Sequence, residues 1–285
     1  MRLEMKLIRF NDANQYYQRV ESYLLQDEAV NCLLLAISLS LCQSDRHKSS
    51  YLALVEENRM ILATAIHVRD SQLFLSKSSN LEAVRLITKD LAVSSRSISG
   101  ITAPQSEAEA FIAAWQKSTK QSIELKIAMQ IQQIEKIKAI DYAAGQLRLA
   151  TSAEIELLTK WIQAFTKEAL GVNELEADSQ RWVIRHLEQD SFYIWENKNR
   201  LVSMAAFGGT TPNGIRIGSV YTPPEYRGEG YATSCVATMS KILLKQKKYC
   251  FLFTDIANST SNKIYAQIGY RPMGKIEDYE FCKTE

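Results

Sequence analysis

One order of apolar periodicities occurs twice in this chain of 285 residues, and it restricts the fold more than any other feature. From Asn11 to Gln26 the spacing is helical, with Tyr16, Val20, Tyr23 and Leu24 on one face, and a second helix runs from Glu28 to Cys42. Three strand-like runs follow, 51–56, 59–68 and 72–76, the first two joined by Glu57-Asn58 as a hairpin. A helix over 80–92, a strand over 97–102, a helix over 107–118 and a strand over 122–130 complete the first pass. After 136–146, where Lys136, Lys138 and Asp141 lead to Gly145, the order returns. A helix capped at Thr151 or Ser152 carries Glu154 and Glu156 in its first turn and runs through Ala164. Then come a helix over 176–188, strands over 192–196, 200–207 and 215–222, a long helix, a strand over 250–254, a helix over 259–268 and closing strands over 272–282. This predicts an α/β (α+β) protein of two like domains, 1–135 and 147–285, with 136–146 as the linker. Residue identity between the halves is poor, so the duplication is architectural.

Composition removes several function classes. A formal charge of +2 without any block of like charges leaves no footprint for nucleic acid. Lys245, Lys247 and Lys248 are the densest basic cluster, and their position suits the C-terminal end of a helix. The three histidines, His47, His67 and His186, are far apart, so no metal site is expected. Cys32, Cys42, Cys235, Cys250 and Cys282 form no Cys-x-x-Cys pair and read as buried free thiols of a reducing cytoplasm. Glu4 and Lys6 interrupt any secretory core, and the greasiest run, Cys32 to Cys42, is about half the ~20 residues of a membrane span. A cytoplasmic protein without a membrane partner is expected.

The halves differ at one place. In the second, a β-rich run ends at Tyr221-Thr222-Pro223-Pro224 and passes through Glu225-Tyr226-Arg227-Gly228-Glu229-Gly230-Tyr231-Ala232 into a helix carrying Val236, Met239 and Leu243. A strand, a glycine turn and a helix start make a cup of unpaired backbone N–H groups backed by a helix dipole, which suits phosphate oxygens. The first half passes from Phe74-Leu75-Ser76 through Lys77-Ser78-Ser79-Asn80 without a glycine, so it should not hold a phosphate-rich cofactor in this way. One strand later, Asn258, Ser261, Asn262 and Tyr265 stand at i, i+3, i+4 and i+7, a polar stripe opposite Ile264 and Ile268. A carboxamide there can pair with the amides of a long ligand, and a phenol can hold or donate a proton. The plainer alternatives are Asn258 as an N-cap and Tyr265 as a half-buried ring.

Together these two elements resemble the GNAT acyl-CoA N-acyltransferase superfamily, whose cofactor motif is Arg or Gln, two residues, Gly, one residue, then Gly or Ala. Arg227, Gly230 and Ala232 match it, and Asn258, Tyr265, Gly269 and Tyr270 match the second signature. The match is specific over Ile215 to Phe281 and looser over Leu147 to Glu285. The resemblance implies two GNAT-like domains, each a mixed, mostly antiparallel central sheet flanked by helices, the first degenerate and the second binding acetyl-CoA. It implies that Arg227, Gly228, Glu229, Gly230, Tyr231 and Ala232 hold the diphosphate through their amides. The strand ending at Val220, Tyr221 and Thr222 would splay from its neighbour and pair with the pantetheine arm. Asn258 would bond the arm, and Tyr265 would protonate the leaving thiolate. A primary amine, on a small molecule or a peptide, would attack the acyl group directly, and no metal is implied.

The family often carries a carboxylate on the strand before the loop, but here that strand reads Ile215-Arg216-Ile217-Gly218-Ser219-Val220. The base stays open among Glu168, Glu174, Glu196 and Glu280, and Tyr193, Trp195, Trp161 and Trp182 are candidates for the acceptor pocket. Two rival readings stay open as well: a non-catalytic acyl-CoA-binding regulator, and a mycothiol-synthase-like or aminoacyl-transferring tandem protein.

Overall fold

The strands alternate faces, and this alternation fills the cores of the two compact units of the computed structural model. It describes residues 4–44, 49–69, 71–94, 96–119 and 121–282; His47 lies outside them. The first unit comprises 1–131 with 209–211 and 273–285, and the second comprises 132–208 with 212–272.

The first unit contains β1 (Lys6–Phe10), α1 (Ala13–Leu24), α2 (Cys32–Cys42), β2 (Tyr51–Glu57), β3 (Met60–His67), β4 (Leu73–Leu75), α3 (Leu81–Ala92), β5 (Gly100–Pro104), α4 (Gln105–Thr119) and most of β6 (Ile123–Ile134). Consecutive strands from β1 to β4 pair antiparallel, and β4 pairs parallel with β5. Along β2, Tyr51, Ala53 and Val55 enter the core that holds Val84, Ile87, Phe111 and Trp115. Leu52 and Leu54 enter the other core, with Tyr16, Val20, Leu24 and Leu35. Period two in the strand and 3.6 in the helices thus fill both faces.

The second unit contains β7 (Gln146–Leu149), α5 (Ile155–Leu170), α6 (Glu176–Glu188), β8 (Phe192–Asn197), β9 (Arg200–Gly208), β10 (Gly214–Tyr221), α7 (Tyr231–Leu243), β11 (Tyr249–Asp255) and α8 (Ser259–Ile268). Its strands from β7 to β10 pair antiparallel, and β10 pairs parallel with β11. Ile215 and Ile217 pack with Val236 and Met239 of α7, while Met204 and Ala206 pack on the other face with Leu158, Ile162 and Val183. The fold is therefore the expected mixed, mostly antiparallel sheet flanked by helices, in each unit.

Four readings are corrected. Each half opens with a strand, β1 or β7, that carries no clear alternation, because each pairs on one side only and stays partly exposed. Segment 136–146, read as the linker, lies within the second unit. Lys138 donates to the Ile268 carbonyl at 2.9 Å, Ala143 to the Ser234 hydroxyl at 2.8 Å, and the Trp195 indole to the Ala144 carbonyl at 3.0 Å. The closing segment is one strand, β12 (Arg271–Phe281), and its residues from Met273 onward belong to the first unit. There Ile276 to Glu280 pair antiparallel with Pro104 to Gly100 of β5. Residues 209–211 also belong to that unit, where buried Thr211 donates to buried Glu28 at 2.5 Å. The domain boundary read at 147–285 therefore ends too late. Among the described residues no helix is long and apolar enough to cross a membrane, and no three of His, Cys, Asp and Glu group to hold a metal.

Candidate functional site

Two strands of the second unit part where the loop begins. β10 and β11 are paired from Gly214 opposite Tyr249 to Arg216 opposite Phe251, and no further. On the other side of β10 the register with β9 shifts between Gly218 and Tyr221, where Ser219 has φ +51°. This bulge turns the end of β10 away from its neighbour. Buried Ser203 on β9 donates to the Tyr221 carbonyl at 3.1 Å and accepts from the Thr222 hydroxyl at 2.9 Å, which fixes the turned end.

Pro223 and Pro224 then close a short 3-10 turn, with the Tyr226 amide donating to the Pro223 carbonyl and the Arg227 amide to the Pro224 carbonyl. The cup therefore starts at Gly228, one residue later than the motif suggests. Gly228 and Gly230 hold φ of +86° and +76°, and Gly230 is the N-cap of α7. A Cβ at Gly228 would meet nothing within 4 Å, and one at Gly230 only the Ala143 Cβ at 3.9 Å. The backbone angle, not crowding, requires glycine here. From Gly228 to Thr233 the amides find no acceptor within the described protein, and the next, Ser234, donates to the Gly230 carbonyl. Six free N–H groups and the start of a helix of 13 residues make an anion cradle.

The Arg227 side chain secures the loop: it donates to the Thr222 carbonyl at 2.9 Å, pairs with Glu168 at 2.7 Å and lies over the Tyr221 ring. Tyr231 accepts from Asn197 at 2.8 Å, and Glu229 is exposed.

The polar stripe divides its labour. Asn258 is exposed and caps α8, accepting from the Ser261 amide at 3.0 Å. Asn262 braces the turn before the helix: its amide group donates to the carbonyls of Asp255 and Asn258, and its oxygen accepts from Thr254 at 2.6 Å. Tyr265 is 8% exposed and meets Tyr270 edge-on at 5.8 Å between ring centres. Burial, with a further push from Cys235, raises its phenol far above the ordinary value. The neighbouring Cys235 thiol is itself pushed up to about 12 by burial. Both groups stay protonated at neutral pH.

The four glutamates proposed as base already have partners. Glu168 holds Arg227, Glu174 accepts from Ser179 at 2.9 Å, and Glu196 is paired with Arg148. Glu280 belongs to the first unit and lies 3.8 Å from Lys126. Of the aromatic candidates, Trp195 is core, its indole tied to Ala144, and Trp161 packs at 6.2 Å from the Tyr221 ring. Tyr193 is half-buried beside Phe207. Trp182 stacks on His186 at 3.7 Å. His186, which sequence reasoning passed over, binds the Trp182 carbonyl through Nδ1 at 3.0 Å, and burial lowers its pKa. Only its helical spacing from Trp182 hinted at this.

The loop of the first unit is closed by the protein itself. Its amides at Lys77, Ser78, Ser79 and Asn80 donate to Asn31, Glu107, the Leu62 carbonyl and the Ser78 hydroxyl. Glu107 is buried, and its carboxylate stands 2.6 Å from the Ser78 nitrogen.

Residues 194–280 match the family model described as FR47-like protein. No curated sequence matches the chain. Among solved structures it is similar to an acetyltransferase from the GNAT family of Colwellia psychrerythraea, at 14% identity and a TM-score of 0.60, covering 97% of this chain and 100% of that one. A Drosophila protein is similar at 10% identity and a TM-score of 0.68, covering 97% and 98%. A tandem GNAT protein from the clavulanic acid biosynthesis pathway is similar at 10% identity and a TM-score of 0.51, covering 99% and 100%. The chain thus has the fold of GNAT acetyltransferases over nearly its whole length, and its second half carries the sequence match.

Proposed function

We propose that the second unit is an acyl-CoA-dependent N-acyltransferase, with acetyl-CoA as donor and a primary amine on a small molecule or peptide as acceptor. The observation that carries this reading is the run of unsatisfied amides from Gly228 to Thr233, set at the start of α7 beside the gap between β10 and β11. The cradle fits a diphosphate and the gap fits an extended arm that bears amides. Acetyl-CoA, when bound, supplies an acyl group activated as a thioester. Gly228, Glu229, Gly230, Tyr231 and Ala232 would hold phosphate oxygens through their amides, and Arg227 would keep the loop in shape. Val220, Tyr221 and Thr222 would offer backbone groups to the arm, with Asn258 at its far side. Tyr265 is assigned as general acid, its proton retained by burial. The first unit is read as a degenerate copy, because Glu107 and Asn31 already take its loop amides.

A second reading, an acyl-CoA-binding regulator without catalysis, is favoured by the packing of Tyr265 against Tyr270. Thermal shift and kinetics separate the readings. Acetyl-CoA at ~100 times its dissociation constant should stabilise the protein by about 2.7 kcal/mol; no shift with acetyl-CoA or CoA would sink both. Tyr265→Phe should keep that shift and lower the rate of thiol release with an amine by about 10²–10⁴. An unchanged rate would remove the general-acid role.

A further inference from the structure

Three described arginines are half-buried, and one of them has no anionic or carbonyl partner. Arg96 donates to the Ser49 carbonyl, and Arg148 is paired with Glu154 and Glu196. Arg216 has no carboxylate within 4.0 Å among the described residues; its guanidinium carbon lies 5.5 Å from the centre of the Phe253 ring, and its charge also acts on His186. Its place in the sheet is specific. Arg216 and Phe251 form the last pair between β10 and β11, so its side chain stands at the root of the gap.

Two residues on, Gly218 faces the same side of the sheet, since the register from Arg216 opposite Gly208 to Gly218 opposite Ala206 is regular. A Cβ at Gly218 would meet nothing within 4 Å. A central strand therefore has open space above it beside small Ala206, on the face where Tyr221 and Trp161 pack. His186 lies at the Arg216 end of this opening, its Nε2 3.9 Å from where a Cβ on Gly208 would stand. With Nδ1 engaged by the Trp182 carbonyl, that nitrogen brings no anionic charge to Arg216.

We infer that Arg216 recognises the acceptor, and that the amine acylated here carries a carboxylate seated over Gly218. The inference rests on the acyltransferase reading and deepens it. A half-buried arginine that no carboxylate of the described residues neutralises is a charge that an anionic ligand can satisfy. A ligand carboxylate supplies two parallel charge-assisted hydrogen bonds to its guanidinium, which the Phe253 ring flanks. The gap between β10 and β11 then lies beside the seated acid, so one molecule can place its carboxylate on Arg216 and its amine toward the gap.

The test is a thermal-shift titration of the full chain with CoA present. The probes are amino carboxylates of increasing chain length, each paired with its carboxamide twin, and one aminophosphonate. At least one carboxylate should bind about ten- to a hundredfold more tightly than its twin. Arg216→Gln should erase that preference, Arg216→Lys should restore part of it, and the acetyl-CoA shift of Arg216→Gln controls for folding. The inference is overturned if no carboxylate outbinds its twin, if the preference survives in Arg216→Gln, or if the aminophosphonate alone binds. A missing acetyl-CoA shift sinks the acyltransferase reading whatever the panel shows. A normal acetyl-CoA shift without carboxylate preference sinks only the acceptor assignment.

Discussion

Gly230 shows what a single residue contributes. Its φ of +76° lies where a side chain is strained by about 1 kcal/mol or more, and its amide is one of six that face no acceptor. Gly230→Asp adds both that strain and a negative charge inside the cradle, so we expect it to abolish stabilisation by acetyl-CoA. A shift that survives would place the ligand elsewhere. The glycine spacing alone made the loop visible in the sequence. Arg227 was also visible, but its role was not: its amide closes the turn and its side chain ties Thr222 to Glu168. Asn258 and Tyr265 show the plainer features of helix cap and packed ring, Tyr265 with its phenol buried, and the residue spacing alone does not separate these from the functional roles.

At the scale of elements, caps were legible and pairings were not. The first turn before α5 is a capping box in which the Thr151 amide and hydroxyl both donate to Glu154, at 2.6 and 2.7 Å. Burial pushes the Glu154 carboxyl up, but hydrogen bonds from Thr151 and Arg148 outweigh it, and the net pKa is lowered. A carboxylate with a lowered pKa stabilises the fold above its unfolded value, near 4.3, and loses that contribution as pH falls through the folded one. Glu154→Gln should therefore cost about 1 kcal/mol in urea melts at pH 7. The difference from wild type should close below about pH 4, and a constant difference would show that the charge is irrelevant. Composition signalled this cap because Thr and Glu three apart satisfy local amides. The gap between β10 and β11 needed the bulge at Ser219, a non-glycine residue at positive φ that nothing in Gly218-Ser219-Val220 announces.

For the whole molecule, the last strand is the informative one. Phe281 lies near the C-terminal end of the second half in sequence, yet its ring is buried in the first unit, 6.3 Å from Phe111 and 5.5 Å from Trp115. Phe281→Ala should cost about 3–5 kcal/mol. Hydrogen exchange should then quicken in β5 and α4, which share that core, before it does in α7. Loosening that begins in α7 instead would contradict the assignment of β12. By itself the sequence determined the repeated order of elements, the faces of most helices and strands, the glycine cradle and its absence from the first half. All of these follow from local backbone preference and periodicity. Only the tertiary structure decided which unit takes β12, where β10 parts from β11, that Glu107 closes the first loop, and that Arg216, with no carboxylate partner among the described residues, shares a sheet face with open Gly218. Each of those depends on partners distant in sequence, and hydrophobic period records that a face is buried without recording what covers it.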